Sequence, residues 1–159
     1  MNHYWKPLVV LGAVAALGAT LASPSWRSAE AHGTVAAAPT VTVYKDPNCG
    51  CCSRWVAHLR ENGFSVVTHD TTSMDAIKAT HGVTSELTSC HTGLVDGYVI
   101  EGHVPAADVQ RLLRTKPKVA GLAVPGMPMG SPGMEGSRSD RYDVLSFDRE
   151  GRTSVFASH

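Results

Sequence analysis

Three of the chain's four cysteines lie in Cys49-Gly50-Cys51-Cys52, where a strand-like run gives way to a helical one. Upstream, Val41-Thr42-Val43-Tyr44 alternates apolar and polar residues and is rich in β-branched side chains, a strand signature that Lys45-Asp46-Pro47 ends. Downstream, from Cys51 to Asn62, helical spacing puts Cys52, Trp55, Val56 and Leu59 on one face and Cys51, Arg54 and His58 on another. Asn62-Gly63 supplies the left-handed stop that ends such a helix. Any fold must therefore present these thiols where a strand hands over to a helix. The fourth cysteine, in Ser89-Cys90-His91-Thr92, acts with them only if the topology brings it back.

The remaining pattern supplies that topology. Phe64 to His69 reads as a second strand, and Ser73 is placed to cap a short helix from Met74 to His81, ended by Gly82. Thr84 to His91 is polar and irregular. Thr92–Val95 and Tyr98–Glu101 flank Asp96-Gly97, a strong short-range hairpin signal. Pro105 suits the first turn of a third helix with Ala106, Val109, Leu112 and Leu113 on its core side, closed by Lys116-Pro117. The Pro- and Gly-dense stretch from Val124 to Met134 predicts a long loop, and Tyr142–Phe147 with Thr153–Phe156 predicts a final hairpin. The expected fold is α/β: a thioredoxin-like mixed sheet with flanking helices and a C-terminal β-hairpin extension. In that layout the loop leading into the first hairpin faces the start of the first helix, which places Cys90 beside the other three sulfurs.

Residues 1–31 read as a signal peptide, with positive charge in Met1 to Lys6, an uncharged apolar run from Leu8 to Ala22, and Ala29-Glu30-Ala31 or Thr20-Leu21-Ala22 as the cleavage site. Left uncleaved, the segment would be a membrane anchor, the one circumstance in which a membrane would be a partner. Residues 32–40 form a flexible lead-in, and residues 41–159 form the thioredoxin-like metal-binding domain. Formal net charge is zero and no basic run occurs, which argues against nucleic acid as a partner. Export places the thiols in an oxidising compartment, the periplasm, unless something protects them.

With Asn48 as helix cap, the first-turn cysteines would sit at the positive end of the helix dipole, with Arg54 nearby, and both effects favour thiolate. Thiolate serves redox chemistry and metal binding equally. Cys49 and Cys52 form a C-x-x-C pair, for which Cys51 is surplus. Four thiolates with three of them clustered suit several soft Cu(I) ions better than one Zn²⁺, whose four-cysteine sites use two spaced pairs. A disulfide within residues 49–52 would close almost no loop and would constrain the unfolded chain little. His91, Met127 and Met129 are candidate secondary ligands. His58, His69, His81 and His103 have no partner at a recognisable spacing and read as solvated.

The segments Val43-Tyr44-Lys45, Cys49-Gly50-Cys51-Cys52 with Trp55, Ser89-Cys90-His91-Thr92, Gly97 to Pro105 and Gly121 to Pro128 together resemble the CopG family of bacterial copper-resistance proteins. The similarity runs from about Val41 to Phe156. It implies a periplasmic thioredoxin-like protein with a multinuclear copper cluster whose ligands, by position, are Cys49, Cys51, Cys52 and Cys90. It further implies association with copper efflux and oxidation systems and interconversion of Cu(I) and Cu(II), a copper oxidoreductase activity. No proline adjoins Cys90, where thioredoxin-type redox enzymes keep one. The leading expectation is therefore a periplasmic copper-resistance protein binding several Cu(I) ions. The rivals are a thiol–disulfide oxidoreductase using Cys49 and Cys52, and a Zn²⁺-stabilised binding module.

Overall fold

A computed structural model describes Met1 and residues 38–159; the signal segment, its cleavage site and most of the lead-in lie outside the described residues. One open seven-stranded sheet organises the described part, in the order β2-β1-β3-β4-β5-β6-β7. The chain runs β1 (Thr40–Lys45), α1 (Gly50–Glu61), β2 (Ser65–Asp70), α2 (Met74–Thr80), a single 3₁₀ turn (Ser85–Leu87), β3 (His91–Val95) and β4 (Tyr98–Gly102). It continues through α3 (Ala106–Thr115), β5 (Gly121–Val124), β6 (Asp143–Phe147) and β7 (Thr153–Ser158). β1 pairs parallel to β2 and β4 parallel to β5, and every other neighbour is antiparallel. The mixed α/β sheet with flanking helices and a terminal hairpin is the architecture the patterning predicts.

Alternation along the strands separates two cores. Val41, Val43, Ile100, Leu122 and Val124 pack with Trp55, Val56 and Leu59 of α1 and with Val109 and Leu112 of α3. Val99, Ala123 and Phe147 form the second cluster with Val83 and Leu87, the latter in the 3₁₀ turn. Each large apolar side chain so buried contributes about 1.5–3 kcal/mol. Trp55 is the anchor of α1: its indole N–H donates to the Val104 carbonyl at 2.8 Å. Gly93 of β3 leaves room for it, since a Cβ there would already lie 3.4 Å from the Trp55 ring.

At the β3–β4 turn Asp96 (φ 47°) and Gly97 (φ 81°) both take left-handed conformations, the geometry that matches the twist of a hairpin. The register pairs Val95 with Tyr98 and Thr92 with Glu101. β5 was not anticipated as a strand. Gly121-Leu122-Ala123-Val124 is short and buried on both faces, so it shows no alternation, and it runs directly into the Pro/Gly loop. Ser73 makes no capping bond; its backbone N–H is instead held by Thr71 Oγ1 at 3.0 Å. The terminal hairpin is tied to α3 by His159 Nε2 on Asp108 (2.7 Å) and by Arg111, which donates to the Phe156 carbonyl (2.6 Å). Among the described residues no helix is long and apolar enough to cross a membrane.

Candidate metal centre

The entry to α1 is set one residue later than expected. Asp46 accepts the Asn48 N–H on its side chain (2.8 Å) and the Cys49 N–H on its carbonyl (3.1 Å). The chain is therefore still turning at Asn48, and Cys49 becomes the cap, its Sγ accepting the Cys52 N–H at 3.3 Å. A sulfur, not an amide, occupies the position toward which the first N–H groups point.

All four cysteines offer sulfurs within 4.8 Å of one another. Cys49 and Cys52 are joined as a disulfide, whereas Cys51 and Cys90 are free thiols. Cys51 Sγ lies 3.5 Å from Cys49 Sγ and 3.7 Å from Cys90 Sγ. Cys52 is buried and the other three are half-buried. Burial above all, then the neighbouring Cys51, pushes the Cys90 thiol up to about 12. Cys90 arrives on a loop and has no helix end of its own, so it departs from the acidity expected of the helix cysteines. A bound cation would reverse the balance by replacing the thiol proton. Arg54 is turned to another task, donating from Nε to the Gly133 carbonyl at 2.8 Å.

Two histidines complete the surroundings of Cys90. His91 is wholly buried, with Nδ1 3.3 Å from Cys90 Sγ and its ring against Trp55, centroids 4.3 Å apart. His103, expected to be solvated, is equally buried and brings Nε2 to 3.1 Å from the same sulfur. Its Nδ1 lies 2.8 Å from the Pro132 carbonyl, an acceptor only, so the ring proton sits on Nδ1 and the Nε2 lone pair faces Cys90. Burial pulls both imidazoles below the ordinary histidine range, which keeps them neutral and able to coordinate. His58 is not simply solvated either: its Nε2 accepts the Ala106 N–H (3.0 Å) and caps α3. His69 is exposed and stacks on Tyr44.

Behind Cys90 lies a buried ion pair between Lys78 of α2 and Glu101 of β4. Glu101 also accepts the Ser89 N–H (2.7 Å) and the Thr92 hydroxyl (2.7 Å), and Lys78 reaches Thr92 Oγ1 at 3.2 Å. The carboxylate thus fixes the backbone immediately before Cys90. In front, the 125–142 loop closes over α1 through its backbone. A Cβ on Gly133 (φ 89°) would sit 2.7 Å from the Cys51 carbonyl oxygen and 2.9 Å from the Trp55 nitrogen. Gly133→Ala is accordingly expected to destabilise the protein by about 1–3 kcal/mol and to free the loop, read as a lower Tm and faster proteolysis after residue 125. An unchanged Tm would show that the loop gives way without cost. Met127 is 52% exposed and Met129 half-buried, so the loop meets the centre through Pro132 and Gly133.

Two solved structures, forms 2 and 1 of copper resistance protein CopG, share this architecture. The first is 49% identical, covers 77% of this chain and 98% of its own, and superposes with a TM-score of 0.73. The chain belongs to the CopG family. The second form agrees, at 50% identity, 76% and 96% coverage and a TM-score of 0.72. A family model described as a protein of unknown function, DUF411, matches residues 87–134. In this CopG-family chain that segment carries Cys90, His91, His103 and the Pro/Gly loop. No curated protein matches.

The donor set is uniformly soft or intermediate: four sulfurs and two neutral imidazoles, with the nearby Glu101 carboxylate committed to Lys78, Ser89 and Thr92. It fits copper or zinc and disfavours Mg²⁺ or Ca²⁺, which require oxygen ligands.

Proposed function

We propose that this CopG-family protein binds several Cu(I) ions through Cys49, Cys51, Cys52 and Cys90 and contributes to copper resistance in the periplasm. The observation that carries the proposal is the meeting of all four sulfurs within 4.8 Å at the start of α1. Three sulfurs on one helical turn cannot enclose a single tetrahedral ion as two spaced pairs would, but they can bridge ions of low coordination number. An external dithiol must first reduce the Cys49–Cys52 disulfide, becoming a disulfide itself as two electrons and two protons pass to the chain, and the two thiols so formed then exchange protons for metal. Copper supplies the redox couple when bound, so the same centre supports interconversion of Cu(I) and Cu(II). The chain's own contribution is to fix Cys90 through Glu101, to orient His103 through Pro132, and to cover the site with Gly133. Met127 and Met129 take no part in the proposal. The block β2-β1-β3-β4, with α1 and α3 on one face and α2 on the other, is in our reading thioredoxin-like. Periplasmic copper-efflux proteins are the partners such a role would require.

The reduced wild-type protein, titrated anaerobically with Cu(I) against a strong chelator, is expected to hold more than one ion per chain. A single equivalent would refute the cluster. The disulfide itself favours a second reading, a thiol–disulfide oxidoreductase, because Cys49 and Cys52 are paired at a helix N-terminus as a redox dithiol would be. That activity would survive Cys51→Ser in a disulfide-reduction assay, whereas copper stoichiometry would fall. Wild-type protein without turnover in that assay eliminates it.

A further inference from the structure

We propose that Cys90, His91 and His103 form a separate mixed nitrogen–sulfur site that holds one Cu(II) ion while Cys49 and Cys52 remain joined as a disulfide. The inference rests on the proposed function only in taking copper as the metal. Its donors are one sulfur and two imidazole nitrogens, all within 4.8 Å of one another and belonging to a group distinct from the four cysteines. Cys90 alone is common to both.

Geometry brings these three close to a binding arrangement without an ion. Metal bonds of about 2.0 Å to nitrogen and 2.3 Å to sulfur at a tetrahedral angle put the two donors about 3.5 Å apart. Here the nitrogen–sulfur separations are 3.1 Å for His103 and 3.3 Å for His91. A shift of a few tenths of an ångström therefore opens room for an ion.

His103 is also oriented as ligand histidines are. Its distal ring nitrogen bonds a backbone carbonyl, which fixes the tautomer and leaves Nε2 free. His91 turns Nδ1 to Cys90 Sγ at 3.3 Å, and its wholly buried ring has the Gly102 backbone as its other polar neighbour. Coordination through Nδ1 would exchange the contact with the Cys90 thiol for a shared metal ion.

The chemistry then divides the centre. Sulfur-only coordination on the α1 side favours Cu(I), whereas two imidazoles with one thiolate are the donor set of trigonal copper sites that also accommodate Cu(II). Because the nitrogen side uses neither Cys49 nor Cys52, it survives the oxidised state in which the four-thiolate site is dismantled. Cys90, 3.7 Å from Cys51, is the hinge between the two.

The test uses Cys51→Ser protein with the Cys49–Cys52 disulfide intact, which leaves Cys90 as the one free thiol. Copper(II) sulfate is titrated under argon. The expected result is one bound ion with a thiolate-to-copper charge-transfer band and imidazole-nitrogen couplings in pulsed electron paramagnetic resonance. Adding His103→Gln should weaken binding at least about tenfold. Failure to retain Cu(II), an EPR-silent product, or bound Cu(II) without imidazole coupling overturns the proposal. Since His103 is buried and its replacement can unfold the chain, the couplings in the histidine-intact protein decide the matter alone. The multi-ion count of reduced wild type is a separate measurement, so either idea can fail without the other.

Discussion

Cys90→Ser is expected to reduce the copper held by the reduced protein from several ions to one or none. Three short contacts at the centre meet on this sulfur: 3.7 Å to Cys51, 3.3 Å to His91 and 3.1 Å to His103. Without it, the three helix cysteines have no fourth thiolate, and the imidazoles have no sulfur to share an ion with. Serine keeps the shape, but its hydroxyl stays protonated at neutral pH and is a poor ligand for Cu(I). The fold should be little affected, because Ser89 and Thr92 still hold the segment to Glu101. Thus a fall in stoichiometry with an unchanged circular-dichroism spectrum is the diagnostic outcome. The measurement is the anaerobic chelator competition used for the wild type, with Cys51→Ser beside it. Loss of Cys51, which contacts two sulfurs, should cost less than loss of Cys90, which contacts one sulfur and two imidazoles. If Cys90→Ser retains the full wild-type count, the four-sulfur cluster is wrong whatever the geometry suggests.

The convergence on Cys90 was legible because it follows from topology: a strand, a cysteine-bearing helix, and a later hairpin whose entry loop must face that helix. The inward face of α1 was legible for the same kind of reason, as Cys52, Trp55, Val56 and Leu59 are all buried. His103 was missed by looking for partners along the chain, when its partner lies across a hairpin. The Asp96-Gly97 turn pairs Val95 with Tyr98 and Thr92 with Glu101, and continuing that register sets Cys90 opposite His103. The information was present and needed two more steps along the ladder. The cap of α1 went astray because Asn48 is a good capping residue by type, while Asp46 used its N–H first. Competition between neighbouring side chains for one backbone donor is settled by geometry that composition does not carry.

Least legible was the ion pair beneath the site, for Lys78 and Glu101 come from different elements and each reads as a surface residue by type. Both are almost wholly buried. Glu101→Leu should therefore be severe, about 3–5 kcal/mol of stability, since it leaves a buried ammonium without its partner. It also removes the acceptor that holds the Ser89 N–H at 2.7 Å. A double substitution separates the two effects. Lys78→Met with Glu101→Leu should recover most of the stability, because replacing both members of a buried pair by apolar groups is often neutral. Its copper affinity should stay low, because Ser89 and hence Cys90 are no longer anchored. Lys78→Met with Glu101→Gln restores an oxygen acceptor for Ser89 and should recover both. Denaturant unfolding gives the first quantity and chelator competition the second. Were the Leu-bearing double variant to bind copper like wild type, Glu101 would be serving the fold alone. If stability and affinity part as described, the carboxylate has two separable roles: it neutralises Lys78, and it fixes the backbone that presents Cys90.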